Sequence, residues 1–590
     1  MRKLLLLVPL ALLLAACGRD TPAQPAPPPG PAAPVVTPSA PSSAPATVAD
    51  PAARAAEVVR TLGDEDLAGQ VLMPYAYGSG ATKVDAAAAA GNRKLAGVDT
   101  PAEMVTKFRL GGIILVGFTP DDPTGATNPA TNVQNPQQVR QLTAGLQQAA
   151  ATLPGGAPLL IGTDQEYGVV TRVRDGVTML PSAMAFGAAV RPDLTERAWG
   201  VAGAELAAMG VTVDFAPVAD TLDAGSSAPS EGPGAGSRQS AGGSAVIGSR
   251  SFGADPKLTA AQVAAAVRGL QGAGVAATLK HFPGHGHTTA DSHTELPVVP
   301  LSRAEWAAQD RPPFLAGAQA GAGLVMSGHL DVPALDKGVP ATFSRTVMTD
   351  VLRKELKFTG VAVTDAMNMA PAMKWPPGEA AVRALNAGND LLLMPPDIAA
   401  ARDGILAAVR GGDLPRERLV EAVTRVLTLK FRTAGRPQPD LAVVGSPEHQ
   451  RPVRAAAAAS VTVLRGACSG PLIGGPVTVT ASGGREVARV TLVKALQAAG
   501  VPVQSAGGKV VHLVGYGDRR TDLSPSAEMT VGMDRPDLLA SARSPVLAAT
   551  YSSSPASLSA LADVIAGRAK APGRSPVGVT GLPRSACSRS

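Results

Sequence analysis

The chain has 590 residues, 45% of them apolar and 17% charged, so sizeable cores are available and wholesale disorder is excluded. Three cysteines exclude a disulfide framework and any four-cysteine zinc module. A net charge of +6 is mild at this length and suits an anionic surface or wall polymer. With no concentrated Lys/Arg run and only 3% aromatics, it argues against nucleic acid as a partner.

The amino terminus reads as an address. Arg2 and Lys3 precede the apolar stretch Leu4 to Ala16, too short to span a bilayer and typical of a signal-peptide core. It runs into Leu14-Ala15-Ala16-Cys17-Gly18, which resembles a bacterial lipobox. Residues 1–16 are therefore expected to be removed and Cys17 to be lipidated; the alternative is ordinary cleavage beside an incidental cysteine. Residues 17–50, rich in Pro, Ala and Ser, cannot bury a core and read as a semi-extended tether. The expected location is outside the cytoplasm, anchored to the bacterial cell membrane by lipid.

From 51 to 433, short apolar runs alternate with helical patterns. Strands are predicted at Gln70–Tyr75, Leu110–Phe118, Pro158–Asp164, Val211–Val218, Val275–His281, Leu324–His329, Val361–Asp365 and Asp390–Met394. Helices are predicted between most of them, including Pro192–Met209, Leu258–Ala273 and Arg345–Leu356. Eight strands alternating with helices predict an α/β fold of the (β/α)8 TIM-barrel type, with a doubly wound open sheet as the alternative. Polar residues at strand ends (Asp164, Gln165, Glu166, Lys280, His281, His329, Asp365) fit a barrel, which gathers its chemistry there. Residues 119–134 and 223–243 read as surface-loop insertions.

Residues 434–450, with Pro437 and Pro439, read as a linker. From 451 to 590 the pattern restarts as a smaller α/β open-sheet domain. Its strands are predicted at Val461–Leu464, Val477–Thr480, Val510–Val514 and Val546–Thr550, its helices at Glu486–Ala499 and Leu558–Ala566. Cys468 and Cys587 both fall here; in an exported protein they form either a disulfide or two free thiols.

Four of the seven histidines lie in Lys280-His281-Phe282-Pro283-Gly284-His285-Gly286-His287-Thr288-Thr289-Ala290-Asp291-Ser292-His293. Spacing alone allows a metal site of His281, His285, His287 and His293. A zinc-binding H-E-x-x-H pattern needs a helix, however, and Pro283, Gly284 and Gly286 forbid one. A serine hydrolase built on Ser292 and His293 is disfavoured because adjacent residues point apart and no G-x-S-x-G elbow exists; Gly466-x-Cys468-x-Gly470 is only an imitation. The third reading is an acid/base loop: two residues apart, Asp291 and His293 share a face of an extended segment, and the carboxylate fixes the imidazole's tautomer.

This segment resembles the signature of glycoside hydrolase family 3, in its β-N-acetylglucosaminidase branch. The resemblance continues, in family order, through Gly162-Thr-Asp-Gln-Glu-Tyr-Gly168 with Arg172, Phe215-Ala-Pro-Val218 with Asp220, and Ile247-Gly-Ser-Arg-Ser-Phe252. It also includes Val325-Met-Ser-Gly-His329, Pro340-Ala-Thr-Phe-Ser344, Val363-Thr-Asp-Ala-Met-Asn-Met369 and Ala387-Gly-Asn-Asp-Leu-Leu-Leu-Met-Pro395. Ser460–Leu464 and Pro572–Val577 resemble the family's second domain. The resemblance implies that Asp365 is the nucleophile, that His293 is the general acid/base with Asp291 as its partner, and that Asp164, Arg172, Arg250, Lys280 and His281 grip the hydroxyls of one terminal sugar. It assigns nothing to His287 and gives His285 a loop-shaping part.

The implied reaction is exo-hydrolysis of non-reducing terminal N-acetylglucosamine with retention, on peptidoglycan fragments, through a covalent glycosyl-enzyme. It needs no cofactor and no metal. The alternatives are another specificity, such as β-glucosidase, and a catalytically retired wall-binding lipoprotein. The scarcity of aromatics favours a pocket for one sugar over a long cleft with stacking platforms. Two departures from the family pattern stand out. Tyr167 replaces a glycine, where a phenol is expected to narrow or line the pocket, and Ala366 stands where a second Asp often follows the nucleophile.

Overall fold

The computed structural model describes residues 50–117, 131–223, 246–288 and 290–587. The expected signal peptide, the lipidation site Cys17, all of the tether but residue 50, and most of both insertions lie outside these residues, as does Thr289.

All eight strands expected in the first part are present, seven with shorter bounds and β7 shifted by one residue: β1 (Leu72–Met73), β2 (Gly112–Leu115), β3 (Leu160–Thr163), β6 (Val213–Asp214), β7 (Ala276–Phe282), β8 (Leu324–Ser327), β9 (Val361–Thr364) and β10 (Leu392–Leu393). A hairpin not anticipated, β4 (Gln165–Tyr167) with β5 (Val170–Thr171), follows β3. Six strands run parallel in the order β2-β3-β6-β7-β8-β9, and β1 pairs in parallel with β10. A bridge between Val363 and Leu391 joins β9 to the start of β10. The Ile114 N–H donates to the Pro74 carbonyl (3.0 Å) beside β1, which completes the circle.

Side-chain alternation explains why the strands read as continuous apolar runs, since a parallel barrel buries both faces of each strand. Ile114, Leu160, Val213, Leu324, Met326, Val361, Val363 and Leu393 fill the interior. Their neighbours Ile113, Ile161, Val325, Ala362 and Leu392 pack outward on the helices. Two of those helices, Pro192–Ala208 and Pro256–Gly272, open with Pro in the first turn, and the second is capped by the Asp255 carboxylate. They approach closely because position 269 is glycine: a Cβ there would lie 2.5 Å from the Glu196 carbonyl oxygen. The helix expected at Arg345–Leu356 is present as a wide π-type helix, Thr346–Glu355.

The segment 434–450 is shorter as a connector than expected, and it is tied down. Ser446 caps a helix, Pro447–Ser460, that begins inside it. Arg140 Nη1 donates to the Pro439 carbonyl (2.9 Å), and the Gly445 N–H donates to Glu205 Oε1 (2.9 Å). The first insertion also ends in the core rather than at the surface. Buried Asn132 accepts from the Val116 N–H (3.0 Å) and donates to the Ala76 and Gly78 carbonyls at 2.6 and 3.1 Å.

The second sheet comprises β11 (Thr462–Arg465), β12 (Val477–Ala481), β13 (Lys509–Val514), β14 (Met529–Gly532) and β15 (Val546–Ala549), in the order β11-β15-β14-β13-β12. Only the β11–β15 pair is antiparallel. One apolar cluster joins this sheet to the helices Glu486–Ala498 and Pro555–Ile565. A second joins Leu547, Ala549 and Tyr551 to Val218, Leu222 and Ile247 of the barrel. Strand β14 was not anticipated because its four residues hold only two apolar side chains, Met529 and Val531, too short an alternation to stand out from a loop. Cys468 and Cys587 are joined as a disulfide. No helix among the described residues is long and apolar enough to cross a membrane.

At the barrel's amino-terminal end, Lys430 is 1% exposed, and its Nζ bonds to Gln70 Oε1 (2.6 Å). Gln70 in turn donates to the Arg109 and Leu110 carbonyls at 2.9 and 3.3 Å. Burial pulls the Lys430 pKa down to about 7. Between that value and the ordinary 10.5 the unfolded chain binds more protons than the folded one, so this group makes stability rise with pH across that window. The slope is at most about 1.4 kcal/mol per pH unit. Lys430→Met is expected to flatten this limb and to raise Tm at pH 7 by a few degrees, the lost Gln70 contact offsetting part of the gain. Thermal denaturation at pH 7 and pH 10 checks it; an unchanged pH slope would rule out the buried charge as its source.

Candidate active site

The carboxyl ends of the barrel strands surround one pocket. Of the residues marked by the sequence, Asp164, Arg172, Arg250, Lys280, His281, His293 and Asp365 all line it, together with His285, Ser292 and the apolar Ile114, Met326, Met369 and Met394. Asp291 is the exception and stands behind His293.

One wall is an ion network. Lys280, near the carboxyl end of β7, places Nζ 2.7 Å from Asp164 Oδ1 and 2.6 Å from Glu166 Oε1. Arg250 grips Glu166 with two bonds, Nε to Oε2 (2.6 Å) and Nη2 to Oε1 (2.8 Å), and Arg172 Nη2 lies 3.5 Å from Asp164 Oδ2. Burial works to raise the Glu166 pKa, but Arg250 and Lys280 outweigh it and hold the carboxyl far below its ordinary range. Burial also works against the Lys280 charge, which Asp164 and Glu166 more than offset. Glu166 was quoted in the sequence without a role. Its side chain is 3% exposed, against 17% for Asp164, so Glu166 anchors the cations while Asp164 faces the pocket.

Two His–Asp pairs border the same pocket. His281 Nδ1 lies 2.7 Å from Asp220 Oδ2, and Asp220 Oδ1 accepts from the backbone N–H groups of His281 (3.0 Å) and His285 (2.8 Å). His293 Nδ1 lies 2.6 Å from Asp291 Oδ1, which also accepts the His293 N–H at 3.0 Å. A carboxylate can only accept, so Nδ1 carries the proton in both rings and Nε2 is left for the pocket. Burial pushes the Asp291 carboxyl up, but its bonds to His293 and that ring's charge leave it below its ordinary value. Asp220 was visible in the sequence only as a motif residue; its pairing with His281 needed the fold.

The turn between them is fixed by His285. Its Nδ1 meets Thr288 Oγ1 (2.8 Å) and its Nε2 meets Ser292 Oγ (3.0 Å). Burial and the neighbouring His281 lower its pKa to about 4, so it is a neutral strut. Glycine is required at 286, where a Cβ would lie 1.9 Å from the Thr221 carbonyl oxygen. His287, assigned nothing from sequence, is buried with Nδ1 2.9 Å from Asp310 Oδ1 and Nε2 3.3 Å from Asp223 Oδ1. The four imidazoles thus face separate partners. No group of three or more His, Cys, Asp or Glu suited to a metal occurs among the described residues.

Asp365 follows β9. Its N–H donates to the Ser327 carbonyl (3.0 Å), and its Oδ1 accepts from the Ala366 N–H (2.8 Å). Burial works to raise its pKa, but His281, His329, His293 and the Ala366 N–H outweigh it and hold the carboxyl below its ordinary value. Buried His329 donates through Nε2 to the Ala366 carbonyl (3.1 Å) and bonds Thr342 Oγ1 through Nδ1 (2.9 Å). It therefore braces the backbone beside Asp365. Burial depresses its pKa, as suits this neutral tautomer.

Tyr167 corrects an expectation. It is 2% exposed, does not line the pocket, and packs edge-on against Trp199 with ring centroids 6.0 Å apart. Its backbone has φ +65°, which glycine adopts freely and tyrosine does not. Burying the ring against Trp199 offsets that cost, so the phenol fills the core instead of narrowing the pocket.

The family model for the glycosyl hydrolase family 3 N-terminal domain matches residues 83–429. Beta-hexosaminidase A of Pseudoalteromonas piscicida is 33% identical over 394 residues, 62% of this chain and 61% of that protein, so the chain spans about three fifths of that relative's length. A beta-hexosaminidase of Stenotrophomonas maltophilia is 37% identical over 302 residues, 50% of this chain and 82% of that protein. The solved structure of a family 3 beta-N-acetylglucosaminidase from a Paenibacillus species superposes with a TM-score of 0.73 at 32% identity, covering 88% of this chain and 99% of that one. With a matching family model over more than half its length, the chain belongs to glycoside hydrolase family 3.

Proposed function

We propose that this glycoside hydrolase is an exo-acting β-N-acetylglucosaminidase that removes non-reducing terminal N-acetylglucosamine with retention of configuration. The observation that carries the reading is the convergence on one pocket of Asp365, the Asp291-supported His293, and a wall of Asp164, Arg172, Lys280 and Arg250. Such a wall satisfies the hydroxyls of a single sugar and penalises analogues that lack them. The names of the hexosaminidase relatives and of the Paenibacillus enzyme support the amino-sugar specificity.

In this scheme the Asp365 carboxylate attacks the anomeric carbon while His293 Nε2–H protonates the departing oxygen. The covalent glycosyl-enzyme then meets water, which His293 deprotonates, and Asp365 leaves as carboxylate. His293 thus takes the place of the second carboxyl group usual in retaining glycosidases. The natural substrates are proposed to be peptidoglycan fragments, met outside the cytoplasm by an enzyme tethered to the membrane through lipidated Cys17.

Protein lacking residues 1–17 is expected to cleave p-nitrophenyl β-N-acetylglucosaminide far better than the β-glucoside and to release the β-anomer first. Cleavage of the glucoside alone would replace the specificity, and cleavage of neither would point to a retired wall-binding protein.

A further inference from the structure

The sequence leaves the second domain without a task. In the structure that domain grips the segment that carries Arg250. The short turn Gly248–Arg250 is buried, with Ser249 and Arg250 each 4% exposed. On its pocket side, Arg250 holds Glu166 through two bonds. On its other side, Ser249 Oγ donates to Asp534 Oδ1, two residues past the end of β14.

Two further contacts fix the segment at its ends. Ile247 packs in one apolar cluster with Leu539, Tyr551 and Val577 of the second domain. The Ala254 N–H donates to the Pro576 carbonyl (3.1 Å), and a Cβ on Gly253 would lie 2.7 Å from Pro576 Cβ. The hold also reaches the other wall of the pocket, since Ser251 Oγ donates to the backbone carbonyl of Asp220 (2.6 Å), the residue that orients His281.

We propose that the second domain positions the sugar-gripping wall of the pocket, with Asp534 acting through Ser249 to hold Arg250 against Glu166. This role rests on the proposed activity, because it matters only if Arg250 grips substrate. Asp534 itself is a positioning residue. Its carboxylate anchors a hydroxyl, the hydroxyl fixes a backbone turn, and the turn sets the reach of a guanidinium already committed at its other face. The position of Asp534 is set by the sheet: the Met533 N–H donates to the Val514 carbonyl (2.8 Å) at the end of β13.

The test compares Ser249→Ala, Asp534→Ala, their combination and Asp534→Asn in the full chain, using p-nitrophenyl β-N-acetylglucosaminide. Each alanine variant is expected to raise KM about tenfold, the size set by one hydrogen bond to a charged group, with kcat and Tm little changed. The double variant is expected to be no worse than either single one, because both remove the same bond. Asp534→Asn keeps an acceptor oxygen and is expected to stay near wild-type KM. Should Asp534→Ala fail to fold, Ser249→Ala carries the same expectation. An active wild type whose KM is unmoved by Ser249→Ala, or alanine effects that simply multiply, would overturn this role alone. A wild type inactive on every glycoside would overturn the activity and this role together.

Discussion

Asp365→Ala is expected to lower kcat/KM on p-nitrophenyl β-N-acetylglucosaminide by at least about a thousandfold, since no covalent intermediate can then form. The expectation rests on how the carboxylate is kept ready. It directly follows a strand of a rigid barrel, accepts the Ala366 N–H at 2.8 Å, and stands beside His281, His329 and His293, which together with that N–H outweigh the pull of burial. Its pKa lies below the ordinary 3.8, so the nucleophile is lost only when pH falls below that value. Any activity limb at higher pH must then belong to another group. The alanine variant also leaves room for a small anion beside the anomeric carbon. Added azide is expected to restore turnover of the activated substrate and to yield the α-glycosyl azide, because the anion attacks from the face that Asp365 vacated. Activity within tenfold of wild type, or a β-glycosyl azide product, would remove Asp365 from the nucleophile's role.

The fold and the residues that gather at the pocket were legible in the sequence to different depths. The eight barrel strands stood out because each is buried on both faces, and their ends were marked by Asp164, Lys280 and Asp365. The pairing of Asp291 with His293 could be read because it is local, two residues apart on one loop. Glu166, Asp220 and His329 could not be assigned in the same way. Their partners Arg250, His281 and Ala366 are 84, 61 and 37 residues away, and only barrel closure brings them together. Tyr167 misled for the opposite reason. Its place in a motif suggested the pocket, but the side-chain direction is set by a positive φ and by Trp199, neither of which the motif contains. The hold on Arg250 was least visible, because Ser249 and Asp534 are separated by 285 residues and belong to different sheets' surroundings.

The second large effect concerns His293, and it depends on the leaving group. For an unactivated sugar aglycone the departing oxygen needs a proton, so His293→Ala is expected to cost about 10² to 10⁴ in kcat/KM. For p-nitrophenol, which leaves well as the anion, kcat/KM reports a step that needs little protonation and is expected to fall less than about tenfold. The second half-reaction behaves differently. Water must still be deprotonated to release the sugar, so kcat is expected to fall sharply even on the activated substrate, with a burst of nitrophenol as glycosyl-enzyme accumulates. Asp291→Asn is expected to follow the same pattern more mildly. The amide still bonds the ring but no longer stabilises the imidazolium that forms when water gives up its proton, and it removes the carboxylate now held 2.6 Å from Nδ1. Equal losses of kcat/KM on both substrates, with no burst, would mean that His293 supports the loop and transfers no proton. Only a group that gives its proton to the leaving oxygen and later takes one from water splits the two kinetic constants in this way.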